Sequence, residues 1–254
     1  FDIMKYEKKV IAYIDLLGFK SFINFTDKTS NSKENKIKYV DNLFRILKEL
    51  TENKKYSITK SREVTQFSDL IVISFAANDF ESFYDEIRDI QLLCINCINN
   101  GFLLRGSIVY GDIVHRDNII FGPGLIEAYE SESTIAKYPR IIIDEVIIKD
   151  FKDVKPNTFH LNEITSIDKD GIYYVDYFLK VQNCLDQTTR DYEKYILRLA
   201  HIINEISDSP KLREKASWIF EKFKPMLKYY PLFEETANLY ELQDINSIFL
   251  TLSE

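Results

Sequence analysis

The chain has 254 residues, 45% hydrophobic and 14% aromatic, enough for one large core or a core with a small appendage. Its formal net charge of -7 argues against general adhesion to nucleic acid, which relies on clustered Lys and Arg, and is compatible with a small anionic ligand held through a metal. No apolar run approaches the length of a membrane span and the opening FDIMKYEKKV lacks a signal-peptide core, so the expected compartment is the cytoplasm.

In "IAYIDLLGFKSFI" an apolar strand over residues 9–15 delivers a single carboxylate, Asp15, and breaks at Gly18. A buried acid without a partner is costly, so Asp15 either caps the helix that follows or holds a ligand. Gly18 permits a tight turn, and the N–H groups that open a helix form an anion site. Residues 33–52 place Ile37, Val40, Phe44, Leu47 and Leu50 on one helical stripe. "SREVTQFSDLIVISFAAND" then reads as two strands meeting at Ser68-Asp69, a hairpin with an acid at its tip. A second helix covers residues 80–99, stopped by Asn99-Asn100-Gly101.

"FLLRGSIVYGDIVHRDNIIFGPG" reads as a hairpin with a polar loop around residues 115–118, "LIEAYESESTIAKYP" as a short helix and "RIIID" as a strand. Hairpins interleaved with helices predict an α+β domain, an antiparallel or mixed sheet covered by helices. Further on, "NTFHLNEIT" and "GIYYVDYFLKV" read as strands about a "SIDKDG" turn, and helices follow residue 188, with Tyr192, Ile196, Leu199 and Ile203 on one stripe and Leu212, Ile219 and Phe223 on the next. The expected organisation is an α+β domain over 1–150, with edge strands and a helical extension over 151–254 on the same core.

Cys94, Cys97 and Cys184 are too few for a disulfide framework, and the CxxC inside a helical stripe reads as core. His115, His160 and His201 are isolated, and surface or core roles outweigh metal ligation for each. Asp15 and Asp69 close two strand ends that a sheet can bring side by side. Two close carboxylates call for a proton or a divalent cation between them, and hard oxygen ligands suit Mg²⁺, which completes its shell with phosphates and water.

"IAYIDLLGFKSFI", "TQFSDLIVISF" and "LLRGSIVYGDIVHRDNIIFGPGLIEAYESES" together resemble, in order and spacing, the blocks of class III nucleotidyl (adenylate/guanylate) cyclase catalytic domains, over about residues 8–145. The resemblance implies a ferredoxin-like, palm-type sheet and two Mg²⁺ or Mn²⁺ ions. It places Asp15 and Asp69 on the metal-binding aspartates, with the Leu16 carbonyl as a further ligand, and Leu17, Gly18 and Phe19 on the phosphate loop. Arg105, Gly106 and Gly111 match the Arg-x-Gly hairpin with one residue missing after Arg. Arg105 is the best-matched cation for the reacting phosphate; Lys137 and Arg140 are the others, and Tyr110, Tyr129 and Tyr138 cluster near them.

Thr65 stands where purine cyclases carry a base-reading lysine, and Ile119 falls at the other base-binding position. Ile126 and Glu130 replace the usual asparagine and arginine of the last helix. The "FGPGLIEAYESES" and "AKYPRIIID" segments look like the bacterial Pycsar pyrimidine cyclases, which implies UTP or CTP as substrate, cyclic UMP or cyclic CMP as product and a role in anti-phage defence. The family resemblance implies a head-to-tail homodimer with composite sites. A catalytically degenerate regulatory domain and a nucleotidyl transferase are the alternative readings.

Overall fold

The computed structural model describes residues 4–19, seven positions between 37 and 48, 61–77, 80–117, 119–154, 161–185, 191–207 and 209–227. It divides into two compact units, Phe1–Asp176 and Tyr177–Glu254.

The first unit is built on strands β1 (Glu7–Leu17), β2 (Glu63–Phe67), β3 (Leu70–Phe75), β4 (Leu103–Arg116), β5 (Ile119–Phe121), β6 (Ile141–Ile143), β7 (Thr165–Ile167) and β8 (Tyr173–Val175). Among the described residues, its helices include α1 (Phe80–Asn99), α2 (Pro123–Thr134) and α3 (Glu145–Val154). The sheet order is β2-β3-β1-β4-β6-β8-β7, with β5 paired to the far end of β4. Only β4 and β6 pair in parallel among these neighbours. The order β2-β3-β1-β4 is the ferredoxin-like arrangement, so the α+β class and mixed sheet expected from the sequence are what the chain forms.

Alternation along β1 assigns its two faces. Val10, Ala12, Ile14 and Leu16 point one way and are buried; Phe75, opposite Val10, meets Phe83 of α1 with ring centroids 6.5 Å apart. Cys94 and Cys97 lie buried in this helix, where loss of solvent pushes both thiols up, Cys97 to about 12. On the other face Ile11 packs with Val72, Val109, Ile113 and Ala128 of α2.

Glycines let α2 come close. A Cβ on Gly124 would stand 2.5 Å from Ile11 Cδ1, and one on Gly111 2.7 Å from the Gly124 Cα. Gly122 precedes the helix at φ 145° and Pro123 opens it, a preset first turn. Ser107 Oγ then donates to the Ala128 carbonyl at 2.6 Å, pinning the helix to β4.

Several expectations are corrected. His115 does not sit in a polar loop: β4 runs through to Arg116 and buries it. The strand expected over "NTFHLNEIT" lies partly outside the described residues; from Leu161 to Glu163 it is a 3-10 turn, and the strand begins at Thr165. "GIYYVDYFLKV" is strand only over Tyr173–Val175. The helix after Gly18 lies largely outside the described residues, as does His160, whereas the described positions between 37 and 48 are helical.

The second unit contains a 3-10 turn, Leu179–Asn183, and helices α4 (Asp191–Ser207) and α5 (Arg213–Leu227). The stripe Tyr192, Ile196, Leu199 and Ile203 is buried, as are Ile219 and Phe223. Tyr195 donates its hydroxyl to the Tyr177 carbonyl at 2.5 Å, and Phe178 meets Trp218 edge-on at 5.6 Å. No helix among the described residues is long and apolar enough to cross a membrane.

Candidate active site

Asp15 lies within β1, paired with Leu70 of β3 on one side and Arg105 of β4 on the other. Two strand residues and Gly18 separate it from the first helical residue, Phe19, so it is not a helix cap. Ser68 and Asp69 form the two-residue tip of the β2-β3 hairpin, Ser68 at φ 55°. The tip is tied to β1 by the backbone N–H of Leu16, which donates to the Asp69 carbonyl at 3.0 Å. Both aspartates are half-buried at one end of the sheet.

Leu17 is half-buried, Phe19 buried, and Gly18 exposed at φ 80° with open space where a side chain would go. A backbone turn left bare in this way can receive a ligand on its N–H groups.

Among the described residues, Arg105 is a cation placed at these acids. Arg105 Nη2 stands 3.9 Å from Asp15 Oδ2 and is in close contact with Glu132 Oε1 of α2. Glu132 is buried, and the sequence reading passed over it because a Glu in an acidic helix run reads as solvated surface. The field is felt by Tyr13: burial first, then the Glu132 and Asp15 carboxylates, push its hydroxyl above the ordinary tyrosine value, with Asp69 adding to it. Its ring meets Tyr129 of α2 edge-on at 5.8 Å.

Of the other cations, Arg140 is fully buried and donates to Asp168 Oδ2 at 2.5 Å while also contacting Asp170; it anchors β6 to the turn after β7. That ion pair lowers the Asp170 carboxyl below its ordinary value. Lys137 is exposed.

Thr65 and Ile119 are not beside the aspartates. Thr65 pairs with Val72, and its hydroxyl lies 2.9 Å from His115 Nε2. The other ring nitrogen, Nδ1, is 2.8 Å from the buried Ser74 hydroxyl. Desolvation, then the neighbouring Lys9, lowers the His115 pKa to about 4, so the imidazole is neutral and one nitrogen donates while the other accepts. A cavity of about 790 Å³ opens here, lined by Lys5, Glu7, Lys9, Glu63, His115 and Arg116 among others. Ile119 is exposed and pairs with Arg116, eleven residues along β4 from Arg105. Ile126 and Tyr129 of α2 are likewise exposed.

Among the described residues no three His, Cys, Asp or Glu gather into a site that would hold an ion by themselves. Two half-exposed carboxylates at one open sheet end fit Mg²⁺ nonetheless, since it takes one or two protein carboxylates and shares the rest of its shell with phosphates and water.

No family model and no curated protein matches this chain. Solved structures do. The catalytic core of a rhodopsin-guanylyl cyclase with converted specificity, in complex with ATPalphaS, is 16% identical over 67% of this chain and 96% of its own, at a TM-score of 0.44. A bacterial light-regulated adenylyl cyclase is 15% identical over 76% of this chain and 99% of its own, at 0.38. An adenylate/guanylate cyclase/hydrolase from Silicibacter pomeroyi is 17% identical over 66% of this chain and 95% of its own, at 0.36.

Proposed function

We propose that this protein is a metal-dependent nucleotidyl cyclase, a phosphorus-oxygen lyase that converts a ribonucleoside triphosphate to the 3',5'-cyclic monophosphate and pyrophosphate. The observation that carries this reading is the backbone bond from Leu16, next to Asp15, to the carbonyl of Asp69 at one sheet end, with Arg105 across from Asp15. Asp15, Asp69 and the Leu16 carbonyl would hold two Mg²⁺ or Mn²⁺ ions. The N–H and C=O of one strand residue point to the same side, so the Leu16 carbonyl faces the hairpin tip with its N–H. Bound there, the ions would lower the pKa of the ribose 3'-hydroxyl and neutralise the polyphosphate.

The chain's own groups do the rest. Main-chain N–H groups at Leu17, Gly18 and Phe19 receive the β- and γ-phosphates. The Arg105 guanidinium faces the α-phosphate, where charge builds as the ring closes, a contribution worth about 3 to 4 kcal/mol when such a donor is removed. No covalent intermediate is needed.

The base is read by Thr65 and Ile119 in this proposal. A short hydroxyl backed by a neutral imidazole suits a pyrimidine better than the long lysine of purine cyclases does, so UTP or CTP is the substrate we assign. The same assignment makes the product a second messenger, in a cytoplasmic anti-phage response like that of the bacterial pyrimidine cyclases the sequence resembles. Eleven residues of strand, at about 3.3 Å each, part Ile119 from Arg105, too far for one nucleotide to bridge within a subunit. A head-to-tail homodimer brings Ile119 of one copy to the aspartates of the other, and exposed Ile126 and Tyr129 offer apolar surface for that contact.

The test is a product assay. Purified protein, Mn²⁺ and each of the four ribonucleoside triphosphates are incubated in turn and read by mass spectrometry, with Asp69→Ala alongside. A cyclic pyrimidine monophosphate absent from the variant supports the reading; no product from any triphosphate sinks it. A regulatory nucleotide-binding domain is the second reading, favoured by α2 presenting Ile126 and Glu130 where the family's asparagine and arginine stand, and nucleotide binding without product is its signature.

A further inference from the structure

We propose that Glu132 is a positioning residue of this site: it draws the Arg105 guanidinium to itself, so that the guanidinium does not close on the carboxylate of Asp15, the proposed ligand of a divalent cation. This rests on the cyclase reading above and names a residue that reading does not use.

Arg105 lies directly across from Asp15 in the β1-β4 register, where opposite charges pair by default. Yet the Asp15 contact is 3.9 Å, at the outer edge of an ion pair, and the same Nη2 is drawn tight against Glu132. Burial explains which acid wins. The Glu132 side chain is 5% exposed and that of Asp15 29%. A carboxylate taken out of water must keep its cation, whereas one facing solvent is partly screened by it.

The helix holds Glu132 in place. It sits one turn beyond Ala128, whose carbonyl accepts from Ser107, and follows Tyr129, whose ring packs on Tyr13 of β1. The Arg105 position is therefore set by how α2 lies across β1 and β4. Asp15 and Glu132 both face the Arg105 guanidinium, so among the described residues two carboxylates share this corner with one cation. A corner left acidic in this way attracts a cation, provided the arginine does not close on Asp15.

Glu132→Gln releases the guanidinium toward Asp15. Mn²⁺ binding, read by electron paramagnetic resonance of the free ion, is then expected to weaken about tenfold, the scale on which outer partners of metal ligands act. Loss of a nearby negative charge weakens cation binding by itself, so the test is a double-mutant cycle. In an Arg105→Gln background the same Glu132→Gln change is expected to shift Mn²⁺ affinity less than about threefold, because no guanidinium remains to be released. Circular dichroism confirms that each variant is folded, and Glu132→Met, which fills the volume without charge, replaces Glu132→Gln should the latter unfold.

An equal loss of affinity with and without Arg105, or no loss in either background, overturns the role of Glu132 while wild-type Mn²⁺ binding and product formation keep the cyclase reading intact. Wild-type protein that binds no Mn²⁺, indistinguishable from Asp69→Ala, removes both.

Discussion

The backbone N–H of Leu16 donates to the carbonyl of Asp69 at 3.0 Å, and this bond joins the end of β1 to the tip of the β2-β3 hairpin. Two acids from distant parts of the chain are held at one sheet end by main-chain geometry, which substitution of their side chains leaves standing.

That separation of scaffold from charge makes Asp69→Asn informative. The side chain is half-buried at a turn, so thermal unfolding is expected to move little. Cyclic-nucleotide production should fall at least about 10²-fold, the scale of removing a principal electrostatic stabiliser. A variant that keeps activity within about threefold of wild type would remove Asp69 from the chemistry.

His115 makes stability pH-dependent. Unfolded, it titrates at its ordinary value of 6.5; folded, its pKa is lowered to about 4. Between these values the unfolded chain binds the extra proton, so stability is fully present above about pH 6.5 and is lost as the pH falls toward about 4. The loss is at most about 3 kcal/mol. Denaturant midpoints from pH 7.5 to 4 should show this slope, and His115→Gln should flatten it.

Gly124→Ala tests the close crossing of α2. Its Cβ would stand 2.5 Å from Ile11 Cδ1 and 3.0 Å from the Gly111 backbone, which cannot step aside as a flexible chain end does. Overpacking of this kind costs about 1 to 3 kcal/mol. Urea titration should show the midpoint falling, with Gly18→Ala, where no atom lies within 4 Å, serving to separate steric clash from backbone strain.

Ser68 carries a left-handed backbone, φ 55°, at the hairpin tip. A non-glycine residue held there costs on the order of 1 kcal/mol or more, which glycine avoids at a smaller entropic cost in the unfolded chain. Ser68→Gly is expected to raise the thermal midpoint by a few degrees. A lowered midpoint would mean that the Ser68 side chain stabilises the tip by more than its backbone strains it.

Much of the fold was legible because the signals are local. The turn at Ser68-Asp69 interrupts two β-rich runs, and the stripe of α1 recurs every three or four residues, so both follow from periodicity within a few neighbours. His115 was misplaced for the same reason: His, Arg and Asp in succession read locally as a loop, whereas the Ser74 and Thr65 hydroxyls that allow the strand to bury an imidazole come from β3 and β2. Arg140 shows the converse. A free cation in the sequence, it is consumed in the fold by Asp168 and Asp170.

The sequence by itself determined where β1, the β2-β3 hairpin and α1 lie, with Asp15 near the end of β1 and Asp69 at the hairpin tip, because hydrophobic period and turn chemistry are written within a few residues. Only the tertiary structure decided that Arg105 leans to Glu132 over Asp15, and that His115 stays neutral. Which charge keeps which partner depends on sheet register, helix crossing and burial, and these relate residues far apart in the chain through a low-dielectric interior that no local pattern records.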